Sequence, residues 1–93
     1  MIKRYRVFGR VQGVGFRAFV LRQAGQLGLD GWVRNMGDGS VESLVDASEA
    51  AHAAFEAVLR KGPRYSEVQL VLVVDEPEHS QLPGGFTVSH DRG

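Results

Sequence analysis

A glycine-rich segment at residues 9–17 (GRVQGVGFR) marks the point at which the residue pattern changes from that of a strand to that of a helix. Before it, residues 2–8 alternate, with Tyr5 and Val7 on one face, and this alternation predicts a strand. After it, apolar residues recur at helical spacing, which predicts a helix over about residues 17–27. The apolar positions are Phe16, Val20, Ala24 and Leu27. Because a strand, a loop and a helix lead into a crossover connection, the next strand is expected to run parallel to the first.

The middle of the chain contains a predicted hairpin and a second predicted helix. Residues 31–36 and 40–47 have strand patterns, and the sequence GDG at residues 37–39 favours a type I′ turn between them. Ser48 is a good N-cap residue, and Gly62 and Pro63 are typical of the end of a helix. The sequence therefore predicts a helix between these two signals.

Two further strands are predicted near the end of the chain. Residues 66–74 alternate at first and then become continuously apolar, so this strand is either bulged or central and buried on both faces. Residues 86–89 form a short last strand. The order βαββαβ with one additional strand predicts an α+β, ferredoxin-like sandwich, in which two helices cover one face of a mostly antiparallel sheet. We expect one domain over residues 1–93.

Composition excludes several classes of protein. The chain has no cysteine, so it can form no disulfide and no thiolate metal site. No apolar segment of signal-peptide type follows the first residues, and the longest apolar run, residues 70–74, is too short to span a membrane. These features lead us to expect a cytoplasmic protein with no membrane partner.

Charge is distributed unevenly although the formal net charge is zero. Residues 1–34 carry seven basic and one acidic side chains, and residues 35–93 carry four basic and ten acidic ones. The positive first part would steer a small anion towards the glycine-rich segment. Most of the basic side chains, including Lys3, Arg4 and Arg22, are expected to be solvated. The neutral total and the acidic second part argue against a nucleic-acid partner.

The glycine-rich segment is a candidate anion site. Its glycines allow backbone N–H groups to converge in front of a helix N-terminus, where the helix dipole favours negative charge. Arg17 adds a guanidinium that can bind two oxygens of a phosphate or carboxylate. Such a segment can also serve only to turn the chain, and neither the P-loop nor the dinucleotide-binding pattern is present.

Asn35 is the second candidate site residue. It lies near the end of the second predicted strand, and the parallel crossover brings that end to the same edge of the sheet as the glycine-rich segment. With one strand inserted between them, about 10 Å separates the two strand ends. The amide can orient a water molecule beside an anion. Asn35 can equally be a turn residue before Gly37.

Two segments resemble the signatures of the acylphosphatases. One is residues 9–17, and the other is residues 31–35 (GWVRN) followed by Gly39 and Val41. The sequence KGP at residues 61–63 is also similar, so the resemblance spans nearly the whole chain. It implies a hydrolase without metal or cofactor that cleaves a small-molecule acyl phosphate to a carboxylate and inorganic phosphate. We expect a monomer.

The resemblance also implies roles for individual residues. Arg17 would bind the phosphate together with the loop amides, and Asn35 would orient the attacking water. The implied phosphate-binding residues are Gln12, Gly13, Val14, Gly15, Phe16 and Arg17. Chemically this suffices, because transfer of a phosphoryl group through a loose transition state requires mainly positioning and charge stabilisation. Ala47 departs from the family, which usually has glycine at this position.

Two other functions stay open on the sequence. A non-catalytic module that binds phosphate or carbamoyl phosphate would keep the anion site but is expected to lack Asn35. A domain of a larger carbamoyl-transfer enzyme of hydrogenase maturation is expected in a longer chain with zinc-binding cysteines.

The other polar and aromatic candidates have simpler interpretations. Glu42 is expected to be a solvated strand residue, and Trp32 a core or half-buried packing residue. The three histidines, His52, His79 and His90, are expected at the surface rather than at a metal, because none of them forms a pair at ligand spacing.

Overall fold

The computed structural model describes residues 1–77, 82 and 84–90. Five strands and two helices follow one another in the predicted order. They are β1 (Ile2–Arg10), α1 (Phe16–Leu27), β2 (Asp30–Asn35), β3 (Val41–Asp46), α2 (Glu49–Lys61), β4 (Glu67–Glu76) and β5 (Phe86–Ser89). The α+β, ferredoxin-like fold expected from the sequence is confirmed.

The sheet has the strand order β4-β1-β3-β2-β5. β3 pairs antiparallel with both β1 and β2, so β1 and β2 run in the same direction with one strand between them, as the crossover predicted. β5 pairs parallel with β2. The carboxyl ends of β1, β2 and β5 therefore lie at one edge of the sheet, and this edge carries the candidate site.

Both helices pack on the same face of the sheet. α1 buries Phe16, Val20 and Ala24, and α2 buries Phe55 and Leu59. All five side chains share one cluster with the inward-facing strand residues, which include Tyr5, Val7, Val33, Val41 and Val45. Alternate positions on the strands supply the sheet side of the core, as the period-2 pattern requires.

The end of α1 differs from the expected apolar stripe. Leu27 is 37% exposed, whereas Leu29 is 5% exposed and joins the core. The Leu29 N–H donates to the Ala24 carbonyl and the Gly28 N–H to the Gly25 carbonyl, which is a Schellman motif. Gly28 has a φ of 68°, so the chain reverses there and Leu29 takes the core position predicted for Leu27.

The β2–β3 hairpin does not have the expected type I′ turn. That turn needs a positive φ at both central residues, here Asp38 and Gly39, and Asp38 does not have one. Gly39 has a φ of 92° and donates its N–H to the Met36 carbonyl. The Met36 N–H in turn donates to the Ser40 carbonyl oxygen. The loop is thus of the longer kind that ends in a glycine with positive φ.

β4 is an edge strand in this sheet order and is not buried on both faces. Leu70, Leu72 and Val74 are about half exposed, at 48%, 47% and 57%. The bulged alternative is the one observed, because the register with β1 shifts after Phe8. At this bulge a Cβ on Gly9 would overlap the Glu67 carbonyl oxygen, so the strand β1 continues through Gly9 to Arg10 only because residue 9 is glycine.

Candidate active site

An open cleft of about 430 Å³ lies at the edge of the sheet where β1, β2 and β5 end. Arg17 and Asn35 both line it. Among the described residues, the lining consists of Val11, Gly13, Gly15, Phe16, Arg17, Ala18, Leu21, Asn35, Val88 and His90. The crossover thus brings the two candidate residues into one cleft, as the topology inferred from the sequence predicted.

The loop between β1 and α1 forms one side of the cleft. Gly13 and Gly15 have φ values of 75° and 77°, and a Cβ at either position would meet nothing within 4 Å. Glycine is therefore required here by backbone conformation and not by lack of space. Gly15 is the N-cap of α1, no side chain caps it, and the first turn contains no acidic residue. The positive end of the helix dipole faces the cleft, and no acidic side chain of the described residues lines that cleft.

Gln12 and Val14 have different surroundings from the other predicted phosphate-binding residues. The Gln12 side-chain amide donates to the carbonyl oxygens of Met36 and Ser40, at 2.8 Å in each case. Val14 packs against the core and is half buried. Neither side chain is part of the cleft lining, and Gln12 instead ties the loop to the β2–β3 turn.

Arg17 lies in the first turn of α1, and its guanidinium is close to His90. Its Nη1 is 3.2 Å from His90 Nδ1. In the described part of the chain no carboxylate forms an ion pair with Arg17, whereas Arg4, Arg6 and Arg34 all have such partners. A guanidinium without a carboxylate partner in a cleft is suited to bind an anion from solution.

Asn35 is the last residue of β2 and is half buried. Its backbone pairs with Val41 of β3, which fixes the Cα, and its side chain reaches the cleft. Within the described residues the side-chain amide has no hydrogen-bond partner, so both its donor and its acceptor can serve water or a ligand. The turn-residue interpretation is not needed, since the turn starts only at Met36.

His90 is a cleft residue that the sequence did not reveal. It was expected only as an exposed surface residue, and it is exposed but also lines the cleft. It follows β5 directly, and the parallel pairing of β5 with β2 carries it to the same edge as Asn35. The sequence would have indicated His90 as a cleft residue only if the pairing of β5 with β2 had been predicted.

Glu42 contradicts the expectation of a solvated strand residue. It is 4% exposed and lies on the sheet face opposite the helices. Its carboxylate accepts hydrogen bonds from Arg34 Nε at 2.9 Å and Nη2 at 2.7 Å, and Arg4 Nη1 lies 3.0 Å away. Burial alone would raise the pKa of Glu42, but the hydrogen bonds from Arg34 and Arg4 outweigh it and hold the pKa below its usual range.

Two basic residues of the first strand are also paired rather than simply solvated. Arg4 contacts both Glu42 and Glu76, and Lys3 Nζ lies 3.4 Å from Asp75. Lys3 and Arg4, which were expected to be solvated surface groups, are thus partly exposed and also paired with carboxylates. The pairing of β1 with β3 and β4 brings the residues of all three ion pairs together.

His52 is buried, at 3% exposure, and not on the surface as expected. Its Nδ1 is 2.7 Å from the Tyr5 hydroxyl and its Nε2 is 2.8 Å from the Met1 carbonyl oxygen. His79 lies outside the described residues. Trp32 is half buried as expected, with the Arg34 guanidinium 4.9 Å from its ring centroid.

Ala47 lies between β3 and α2, at the position where the resemblance led us to expect glycine. Its φ is not positive, so this backbone does not need glycine there. It is half buried against the core, and its N–H donates to the Met1 carbonyl oxygen. Ala47 is not part of the cleft lining.

Neither metal-ligand clusters nor membrane spans are found in the part of the chain that the structure describes. There is no group of three or more His, Cys, Asp or Glu side chains that could hold a metal ion among these residues. None of the helices within the same ranges is long and apolar enough to cross a membrane.

Comparison with known proteins decides the family. The model of the family described as Acylphosphatase matches residues 3–88. The chain belongs to the acylphosphatase family. An acylphosphatase of Nitratidesulfovibrio vulgaris is 48% identical over 85 residues, which cover 90% of this chain and 85% of that protein.

Solved acylphosphatase structures share the fold. The acylphosphatase of Bacillus subtilis superposes with a TM-score of 0.86 and 36% identity over 97% of this chain and 100% of that one. HypF of T. kodakarensis superposes with a TM-score of 0.83 and 32% identity. The match covers 99% of this chain but only 12% of the HypF chain. The acylphosphatase fold therefore occurs both as a protein of this length and as a part of a much longer chain.

Proposed function

We propose that the cleft is the active site of an acylphosphatase, and that Arg17, the loop amides and Asn35 perform the reaction. The observation that carries the proposal is the set of groups that meet there. Among the described residues, a guanidinium without a carboxylate partner, a helix N-terminus without a side-chain cap and an amide without a protein partner line one cleft. The first two bind an anion, and the third can hold a water molecule.

The phosphoryl group binds at the start of α1. Arg17 donates to two of its oxygens, and the N–H groups of residues 12–17 donate to the remaining ones, with the helix dipole adding to the attraction. These donors gain strength as negative charge spreads over the phosphoryl oxygens in the transition state. Each well-placed donor contributes roughly 3 kcal/mol by analogy with oxyanion-hole donors.

Asn35 orients the nucleophile. Its side-chain oxygen accepts a hydrogen bond from water, which leaves the water lone pair directed towards phosphorus. The water oxygen bonds to phosphorus while the bond between phosphorus and the acyl oxygen breaks. The acyl oxygen leaves as a carboxylate, and the water proton passes to a phosphoryl oxygen or to solvent. A carboxylate is a good leaving group, so a loose transition state needs little help from a general base.

The first experiment measures hydrolysis of benzoyl phosphate in EDTA by the parent chain and by Asn35→Ala. We expect the parent to turn over with the chelator present, and Asn35→Ala to lose roughly 10²–10³-fold in kcat, as for a lost oxyanion donor. Inorganic phosphate should inhibit both proteins with a similar Ki, because Asn35 contacts water rather than phosphate.

Each other outcome contradicts a part of the proposal. Hydrolysis by Asn35→Ala at the parental rate would remove the water-orienting role. Loss of parental activity in EDTA would show that the reaction uses a metal. A folded parent that binds phosphate but hydrolyses nothing would favour the non-catalytic phosphate-binding module.

A further inference from the structure

The cleft contains an apolar surface that the phosphate-binding groups do not use. Ala18 and Leu21 of α1 and Val88 of β5 line it, and we refer to these three residues as the acyl wall. Leu21 is 38% exposed, while Val88 is half buried against the core. A large aliphatic side chain that is exposed within a cleft is well placed to contact a ligand.

We propose that the acyl wall binds the acyl group of the substrate, and that this chain prefers acyl phosphates with an uncharged, apolar acyl group such as benzoyl. The proposal rests on the proposed function, since it takes the phosphoryl group to be held by Arg17 and the loop. It adds the kind of acyl group, which neither the family match nor the fold specifies.

Distance along the helix supports this assignment. Arg17 and Leu21 are four residues apart on α1, which places them on one face and about 6 Å apart along the axis. A phosphoryl group at Arg17 therefore has its acyl substituent within reach of Leu21. α1 also contacts β5, so that Val88 can meet the substituent from the other side.

The size of the cleft agrees with a substrate larger than phosphate. Its volume of about 430 Å³ falls within the range of sites that hold small organic ligands. A phosphoryl group alone would displace only a few water molecules, at about 30 Å³ each. Most of the cleft is thus left for the acyl group.

An anionic acyl group finds no charged partner at the acyl wall. Among the described residues that line the cleft, the charged or titratable ones are Arg17 and His90, and these two contact each other. The acyl wall offers no donor or cation. A second carboxylate, as in succinyl phosphate, would lose hydration against aliphatic carbon without gaining a partner.

The test compares kcat/KM for benzoyl, acetyl and succinyl phosphates in the parent, Leu21→Ala and Leu27→Ala. Leu27 is a matched control, because it is an equally exposed leucine of the same helix, at 37%, and does not line the cleft. We expect the parent to prefer benzoyl over both other substrates. Leu21→Ala should reduce the ratio of benzoyl to acetyl activity by about tenfold, which is the usual scale for contacts in an apolar pocket. Leu27→Ala should leave that ratio at the parental value.

A second variant reverses the preference. Leu21→Lys puts a cation at the acyl wall with a residue that suits an exposed helix position. It should raise the ratio of succinyl to benzoyl activity by at least about tenfold relative to the parent. The lysine removes the apolar contact with the benzoyl ring and gives the second carboxylate of succinyl phosphate a cation. The Ki of inorganic phosphate in Leu21→Ala should stay close to that of Leu27→Ala.

The outcomes separate this inference from the proposed function. If the parent hydrolyses all three substrates and the activity ratios do not change in either Leu21 variant, the acyl wall does not bind the acyl group, and the proposed function stands. If Leu27→Ala changes the activity ratios as much as Leu21→Ala, the effect is not local to the cleft, and the assignment of the acyl wall is contradicted. If the folded parent hydrolyses none of the substrates, the proposed function itself fails.

Discussion

At the scale of single residues, Arg17 differs from Arg4, Arg6 and Arg34 in having no carboxylate partner among the described residues. Arg4, Arg6 and Arg34 are held by carboxylates on the sheet face that the helices leave uncovered. Within the described residues, Arg17 contacts the imidazole of His90, with Nη1 and Nδ1 3.2 Å apart. Because no carboxylate of the described residues neutralises the guanidinium, none of them weakens its attraction for a bound phosphate.

Replacement of Arg17 by alanine should therefore abolish phosphate binding while the fold is kept. We expect kcat/KM for benzoyl phosphate to fall by at least about 10³-fold, and inhibition by inorganic phosphate to disappear, because the lost group is both a charge and a bidentate donor. Arg22→Ala is the control, since Arg22 is an exposed arginine of α1 outside the cleft. An Arg17→Ala protein that phosphate still inhibits with the parental Ki would contradict this assignment.

At the scale of elements, the Gln12 side chain holds the β1–α1 loop in place. Its amide donates to two carbonyl oxygens of the β2–β3 turn, Met36 and Ser40. The loop and the strand end that carries Asn35 are thus linked by one side chain. The geometry of the cleft depends on this link as much as on the glycines of the loop.

Gln12→Ala should loosen the loop, and Gln12→Glu should disturb it more. We expect Gln12→Ala to cost about 1–3 kcal/mol in the free energy of unfolding, for two hydrogen bonds. Gln12→Glu has nearly the same shape but directs a carboxylate at two carbonyl oxygens, so its cost should be larger and its Ki for phosphate higher. Urea denaturation and phosphate inhibition measure the two effects. Equal stability of Gln12→Glu and the parent would show that the link does not hold the loop.

The elements themselves could be predicted from the sequence because each has a local signal. Periodicity identified the strands and helices, and the crossover rule brought Arg17 and Asn35 to one edge. Two local details failed, namely the turn type at residues 37–39 and the core position expected for Leu27. The other failures depend on contacts between distant segments. Glu42 lies opposite Arg6 on one side and Arg34 on the other, and its burial follows from that register and not from its own strand.

His90 and the acyl wall were missed for a related reason. Nothing in residues 86–89 says which strand they pair with, and only the parallel pairing with β2 brings Val88 and His90 to the cleft. Leu21 lies off the stripe of apolar residues that α1 buries, so helical periodicity gave it no role. Its function as a wall of the cleft becomes visible only when the neighbouring strand is in place.

At the scale of the whole molecule, Glu42 joins the three strands that position the site. It lies on β3 and binds Arg34 of β2 and Arg4 of β1, on the face of the sheet opposite the helices. Arg34 is adjacent to Asn35, and β1 leads into the loop of the cleft. Loss of this carboxylate leaves guanidinium groups facing one another across three strands, which is costly where they are partly buried.

The lowered pKa of Glu42 predicts how the stability of the chain depends on pH. A carboxyl whose pKa is lower in the folded than in the unfolded state stabilises the fold above its unfolded pKa, and this contribution is lost as the pH falls through the folded value. We therefore expect Glu42→Gln to reduce the free energy of unfolding by about 3–5 kcal/mol at pH 7, as for a broken buried ion pair. The difference between parent and variant should shrink as the pH falls below about 4, where carboxyls protonate.

Glu56→Gln provides the matched control for this prediction. Glu56 forms an i,i+4 pair with Arg60 on the exposed side of α2, with an N–O distance of 3.0 Å. Its loss should cost no more than about 0.5 kcal/mol at any pH, because water screens exposed pairs. Urea denaturation of the three proteins between pH 3 and 7 gives the free energies directly. If the gap between parent and Glu42→Gln were the same at both ends of this range, the ionised form of Glu42 would not be the one that the arginines stabilise, and the strands would be held together by their core face alone.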